Sequence, residues 1–166
     1  MKIYMASPLG FSEAGDSFYR GTLLRKIKRL GYKPIDPWTL TAKAKIDRVK
    51  TMPYGAKRRD AWRELNVEIG GNNRAGIDRA DMVLAVLDGV DVDSGTAAEI
   101  GYAFAKGKPI LGYRGDFRLS ADNDGSIVNL QVEYFIRQSG GDIVTSVAEL
   151  GPALAKIKAA GLKRPL

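Results

Sequence analysis

The chain has 166 residues and a formal net charge of +7, with 45% hydrophobic and 27% charged residues, the profile of one soluble globular domain spanning residues 1–166. It contains no cysteine and no histidine, which excludes disulfides, thiolate metal sites, the commonest zinc ligand and the usual general base. Acid–base or nucleophilic chemistry falls to Asp, Glu, Tyr, Lys, Ser or Thr. Lys2–Ala6 is a short β-prone run ending at the turn-forming Ser7-Pro-Leu-Gly10, too short to be a signal peptide. Asp16–Leu30 follows as a helix with an apolar face of Phe18, Leu23, Leu24, Ile27 and Leu30, stopped by Gly31. Tyr32–Ile35 is a second short strand, and Trp38–Gly55 is a long connection with no clear period, of the kind that is usually functional or mobile.

Lys57–Arg79 has helical character, with Trp62, Leu65, Val67 and Ile69 as apolar members and Gly70-Gly71 as an interruption. Met82–Leu87 is an unbroken apolar run, as expected of a central parallel strand. After the loop Asp88–Asp93 comes a helix over Ser94–Lys106 stopped by Gly107, then the strand Pro109–Tyr113 and a polar loop, Arg114–Gly125. A helix from about Ile127 to Gln138, a last strand at Ile143–Val144 and a closing helix over Ser146–Ala160 complete the chain, with Ser146 and Glu149 spaced as a capping box.

This alternation predicts a flavodoxin-like, doubly wound, five-stranded parallel sheet with helices on both faces. Ligands of such sheets bind outside the carboxyl ends of the strands. The loops there are Ser7–Gly15, Pro37–Gly55, Asp88–Ser94 and Arg114–Gly125. The positive charge is spread over several helices and a tail containing Lys163 and Arg164. That reads as solvated faces, with no nucleic-acid motif and no nucleic acid expected as partner. No apolar run approaches the ~20 residues of a membrane span, so a cytoplasmic protein with no membrane partner is expected.

The informative stretch is Asp93-Ser-Gly-Thr-Ala-Ala-Glu-Ile-Gly-Tyr-Ala103. Asp93 or Ser94 can cap the helix, and Gly95 lets a ligand approach the backbone. Glu99 lies among Ala97, Ala98, Gly101 and Ala103, small neighbours that leave room above its carboxylate. From the residues alone two readings stand level: a plain acid favoured by the helix dipole, or a functional carboxylate. Paired carboxylates without histidine suit glycoside-type chemistry through an oxocarbenium-like transition state.

This motif resembles that of the nucleoside 2-deoxyribosyltransferase family. Ile3-Tyr4-Met-Ala-Ser-Pro8 with Gly10-Phe-Ser12, Asn73–Ile77 followed by Asp81, Gly107-Lys-Pro109, Tyr113–Arg118 and Asn129-Leu-Gln131 extend the resemblance in order along the chain. It implies Glu99 as covalent nucleophile at C1′ of a deoxyribose, with Tyr4 hydrogen-bonded to it. Asp93 binds the 5′-hydroxyl, helped by Asn129 of the Asn129–Gln131 segment lent by a neighbouring subunit, so at least a dimer is implied. Ser7, Gly10 and Phe11 belong to the substrate loop, Phe11 lining the base pocket, and Ser94 and Gly95 to the sugar end. Where many members carry an aspartate that handles the base's proton, this chain has Asn73, and Asp116 is a substitute for it. The implied reaction exchanges bases between deoxynucleoside and free nucleobase with retention and needs no metal or organic cofactor. Two other readings stay open: a 2′-deoxynucleoside 5′-monophosphate N-glycosidase, which the net charge favours and Asp93 opposes, and a non-catalytic nucleotide-binding module.

Overall fold

The computed structural model describes residues 1–161; the tail with Lys163 and Arg164 lies outside them. Five strands, β1 (Lys2–Ala6), β2 (Lys33–Ile35), β3 (Met82–Val86), β4 (Ile110–Tyr113) and β5 (Asp142–Val144), form one sheet in the order β2-β1-β3-β4-β5. Every neighbouring pair is parallel, which gives the flavodoxin-like architecture.

Strand periodicity sends alternate side chains to opposite faces, and each face builds its own core. Ile3, Met5, Leu84 and Val86 meet a helical run on one side and the C-terminal helix α7 (Leu150–Gly161) on the other end of that layer. The run consists of α1 (Glu13–Phe18), a π-helical segment Tyr19–Leu24 and α2 (Arg25–Arg29). Tyr4, Ala6, Val83 and Ala85 face the second layer, made of α4 (Ala56–Arg79), α5 (Ser94–Ala105) and α6 (Leu130–Gln138). Tyr4 therefore points toward the helices that carry Asn73 and Glu99 because it stands between Ile3 and Met5. The β1/β3 boundary is the point where the winding reverses, and a crevice opens at the carboxyl ends there.

Several expected boundaries are corrected. The first helix begins at Glu13 rather than Asp16, because the Ser12 hydroxyl accepts from the Gly15 N–H at 3.1 Å and caps it. The long connection contains a 3-10 turn at Pro37–Thr39 and an α-helix, α3 (Lys43–Lys50). That helix has no side-chain cap and only Val49 buried, so its sequence shows little period. Gly70-Gly71 do not interrupt α4. Each glycine costs about 1 kcal/mol of helix propensity, which the packing of a 24-residue helix overrides. Val67 is 77% exposed and does not belong to the apolar face, since two residues from Leu65 is roughly half a turn away.

At the far end, α6 starts at Leu130 instead of Ile127, with the Asn129 side chain accepting from Gln131 and Val132 N–H at 3.0 and 3.4 Å. Ser146 is not a helix cap. Residues 146–149 form a turn, and α7 begins at Leu150 with Pro152 in its first turn, where its missing N–H is no loss. The Glu149 carboxylate still reaches back to the Thr145 N–H at 2.8 Å. Gly31 and Gly107 stop their helices as expected, both at positive φ. No helix among the described residues is long and apolar enough to cross a membrane.

Candidate active site

A cavity of about 430 Å³ opens at the carboxyl edge of β1 and β3. Its floor is set by α5. Asp93 is the helix cap, its Oδ2 accepting from the Thr96 N–H at 2.9 Å and the Thr96 hydroxyl at 3.2 Å. Of the two capping candidates, Asp93 takes the position, and Ser94 is exposed outside the cavity lining. Beginning the helix at Ser94 places Glu99 in its second turn, on the side facing β1 and α4. There Tyr4, fully buried, donates its hydroxyl to Glu99 Oε1 at 2.6 Å. Asn73 Nδ2 donates to the same oxygen at 3.4 Å. Glu99 Oε2 has no hydrogen-bond partner among the described side chains, and the residue lines the cavity.

Burial raises the Glu99 carboxyl from its ordinary value to about 7, the Tyr4 hydrogen bond opposes that rise, and the negative charge of Asp93 adds to it. Burial first, and then the carboxylate of Glu99, push the Tyr4 hydroxyl far upward, so it stays a proton-bearing donor. The pair is thus a fixed donor beneath a carboxyl poised near neutrality, the condition expected of a reacting group.

The walls come from other elements. Ser7 closes the end of β1, buried, with its hydroxyl accepting from the Leu9 N–H at 3.2 Å. Phe11 is 78% exposed at the mouth, its ring edge-on to Trp38 with centroids 4.8 Å apart. Gly10 supports this pair, since a Cβ there would sit 2.4 Å from the Trp38 indole. The opposite wall is one stripe of α4: Trp62, Asn66, Ile69 and Asn73. Thr41 and Ile46, from the connection after β2, fill the remainder.

The expected residues Glu99, Asp93, Ser7, Phe11, Asn73 and Gly95 are brought together around this cavity, with Tyr4 beneath and Gly10 behind Trp38. Asn129, Gln131 and Asp116 do not line it. Asn129 serves α6 as its cap. Asp116 is forked by Arg118, whose Nε lies 2.9 and 3.1 Å from its two oxygens. That pairing holds its carboxyl well below the usual range. The loop Arg114–Gly125 contributes nothing to the lining, since β4 stands one strand beyond the β1/β3 crevice. Instead, buried Arg114 ties it to the loop after β3, donating to the carbonyls of Leu87 and Gly89.

Trp38, Thr41, Ile46, Trp62, Asn66, Ile69 and Thr96 were not legible as site residues. Their signal was weak: an aromatic residue beside a functional loop, and polar Asn66 and Asn73 seven residues apart on one helical stripe.

Fold and cavity together define a small flavodoxin-like α/β protein whose polar chemistry gathers on one half-buried glutamate. Residues 3–131 match the model of the nucleoside 2-deoxyribosyltransferases, and the chain belongs to that family. Among solved structures, a 2-deoxyribosyltransferase from Leishmania mexicana is 25% identical with a TM-score of 0.60, covering 95% of this chain and 97% of its own. A 2-deoxyribosyltransferase from Bacillus psychrosaccharolyticus is 21% identical with a TM-score of 0.61, over 91% and 90% of the two chains. A CMP N-glycosidase from Clostridium botulinum shares the fold at 16% identity and a TM-score of 0.52, over 93% and 98%. No curated protein matches the chain.

Proposed function

We propose that the protein transfers 2-deoxyribose between nucleobases by double displacement through a covalent ester on Glu99. The observation that carries this reading is the Glu99 carboxylate at the cavity floor, one oxygen held by Tyr4 and Asn73 and the other unengaged. Glu99 Oε2 attacks C1′ as the bond to the first base breaks; a second base then attacks C1′ from the opposite face and frees the carboxylate. Two inversions give net retention. Tyr4 holds Oε1, so that Oε2 is presented in one direction.

Asp93 accepts from the 5′-hydroxyl with the oxygen that Thr96 does not use. Trp38 and Phe11 flank the base on one side and Trp62 on the other. Ser7 and Gly95 border the sugar, and Ser94 marks the helix start beside it. Asn129 and Gln131 stand outside this chain's own cavity, in keeping with their serving the cavity of a neighbouring subunit in at least a dimer. Asp116, held ionised by Arg118, does not carry the base's proton.

Incubation with deoxyadenosine and free cytosine tests the reading, with exchange to deoxycytidine followed by chromatography. Glu99→Gln keeps the shape and loses the anionic oxygen, so exchange should fall by orders of magnitude; near-normal exchange would refute the assignment. The second reading is N-glycosidase action on nucleoside monophosphates; the Clostridium botulinum neighbour is a CMP N-glycosidase. The net charge of +7 favours it, and the carboxylate of Asp93 at the sugar end opposes it.

A further inference from the structure

The cavity lining contains two carboxylates and no other titratable side chain among the described residues. Both are committed: Asp93 caps α5 through Thr96, and Glu99 is the group that attacks C1′ in the reaction proposed above, on which this inference rests. A departing base needs its charge neutralised as the glycosidic bond breaks, and no lining side chain is free to give it a proton. The residue beside Glu99 at that end is an amide. Asn73 spends one of its two N–H groups on Glu99 Oε1, at 3.4 Å, while its carbonyl oxygen is buried without a hydrogen-bond partner. A buried unsatisfied acceptor is costly, and an arriving N–H donor relieves it.

We propose that Asn73 is a specificity-determining residue that selects bases carrying a basic ring nitrogen, which bring their own proton from solvent. The base takes up one solvent proton on that ring nitrogen, and the resulting N–H donates to Asn73 Oδ1. Glu99 Oε2 then forms its bond to C1′ while the C1′–N bond breaks. The bonding pair stays on the base, cancels the positive charge, and the base leaves neutral. Adenine and cytosine have such a nitrogen. Thymine and uracil do not: their N3 already carries hydrogen, so although that N–H can also meet Oδ1 they take up no proton there and leave as anions, to which an amide has no proton to give.

The substrate series is deoxyadenosine, deoxycytidine, thymidine and deoxyuridine, each measured for release of free base in the absence of an acceptor, with wild type and Asn73→Asp. A positioned general acid contributes typically about 10²–10⁴-fold. Wild type should therefore cleave the first two at least about 100-fold faster than the last two, and Asn73→Asp should raise thymidine cleavage about tenfold or more, compressing the gap. Wild-type cleavage of thymidine at the rate of deoxyadenosine would overturn the proposal, and that measurement needs no variant. A uniform loss across all four in a folded Asn73→Asp protein would also overturn it, since that is the signature of a purely structural amide. Failure of wild type to cleave any of the four would instead refute the deoxynucleoside reading of the site, and this inference with it.

Discussion

Removing the Tyr4 hydroxyl gives the sharpest test of how the site is tuned. In Tyr4→Phe the ring that fills the core stays, and the 2.6 Å hydrogen bond to Glu99 Oε1 is lost. A hydrogen bond to a charged acceptor contributes about 1.5–3 kcal/mol. At about 1.4 kcal/mol per pKa unit, this is a rise of roughly one to two units. The Glu99 carboxyl, held at about 7 in the intact site, should then titrate at about 8–9. The direct assay is carbon-detected NMR titration of glutamate carboxyls, with the Glu99 signal assigned by its disappearance in Glu99→Gln. The break that Glu99 imposes on the pH–rate profile should move by the same amount, and the melting temperature should fall by a few degrees above about pH 8 and by less at pH 4.5, where the carboxyl is protonated. A Tyr4→Phe protein whose Glu99 still titrates near 7, with activity lowered equally at every pH, would refute the idea that Tyr4 acts on the charge of Glu99.

The raised Glu99 carboxyl also predicts pH-dependent stability. Its folded value of about 7 exceeds the unfolded 4.5, so stability is fullest below about pH 4.5 and is lost as pH rises to about 7; Glu99→Gln should melt a few degrees above wild type at pH 8 and level with it at pH 4.5, and equal melting at both would contradict this. At the 5′ end, two like charges about 4 Å apart repel by about 4 kcal/mol at an effective dielectric near 20, roughly a thousandfold. Wild type should thus favour deoxyadenosine over its 5′-monophosphate, and Asp93→Ser, which keeps a helix cap, should lose nucleoside activity and narrow the gap. Wild-type preference for the monophosphate would promote the glycosidase reading. For the shared site, mixing Glu99→Ala with Asn129→Ala should restore part of the exchange activity that each lacks, with Asn129→Ser as a control that retains a cap on α6; a fully active monomer by sedimentation would exclude sharing.

The sheet was legible because its strands are apolar runs between glycine and proline punctuation, and Met82–Val86, buried at every residue, has only one place to go. Glu99 and Asp93 were legible because local spacing sets them: six residues apart across a helix start, they must share one end of α5. Tyr4 came from the family resemblance alone; by local pattern it is an ordinary strand aromatic, and its face is set by the sheet packing. The wall of the cavity opposite Phe11 and Trp38, with the residues of the connection after β2, was not legible. Trp38, Thr41 and Ile46 come from a connection whose short helix has no cap and one buried residue. Trp62 and Asn66 stand on the far side of Gly70-Gly71 from Asn73, and two glycines of low helix propensity give no local sign that the helix runs through them. Long-range packing, which chain-local patterns do not encode, made those decisions.

Because α4 runs unbroken through Gly70 and Gly71, Trp62, Asn66, Ile69 and Asn73 form a register at intervals of four, three and four. At about 1.5 Å per residue they span roughly 16 Å of one rigid rod. The shape of this wall can therefore drift by single substitutions along the rod while the Glu99 end of the cavity, held by β1 and α5, stays fixed. Deleting one residue between Asn66 and Asn73 would be a different kind of change: it would turn one half of the stripe about 100° relative to the other and erase the register at a stroke.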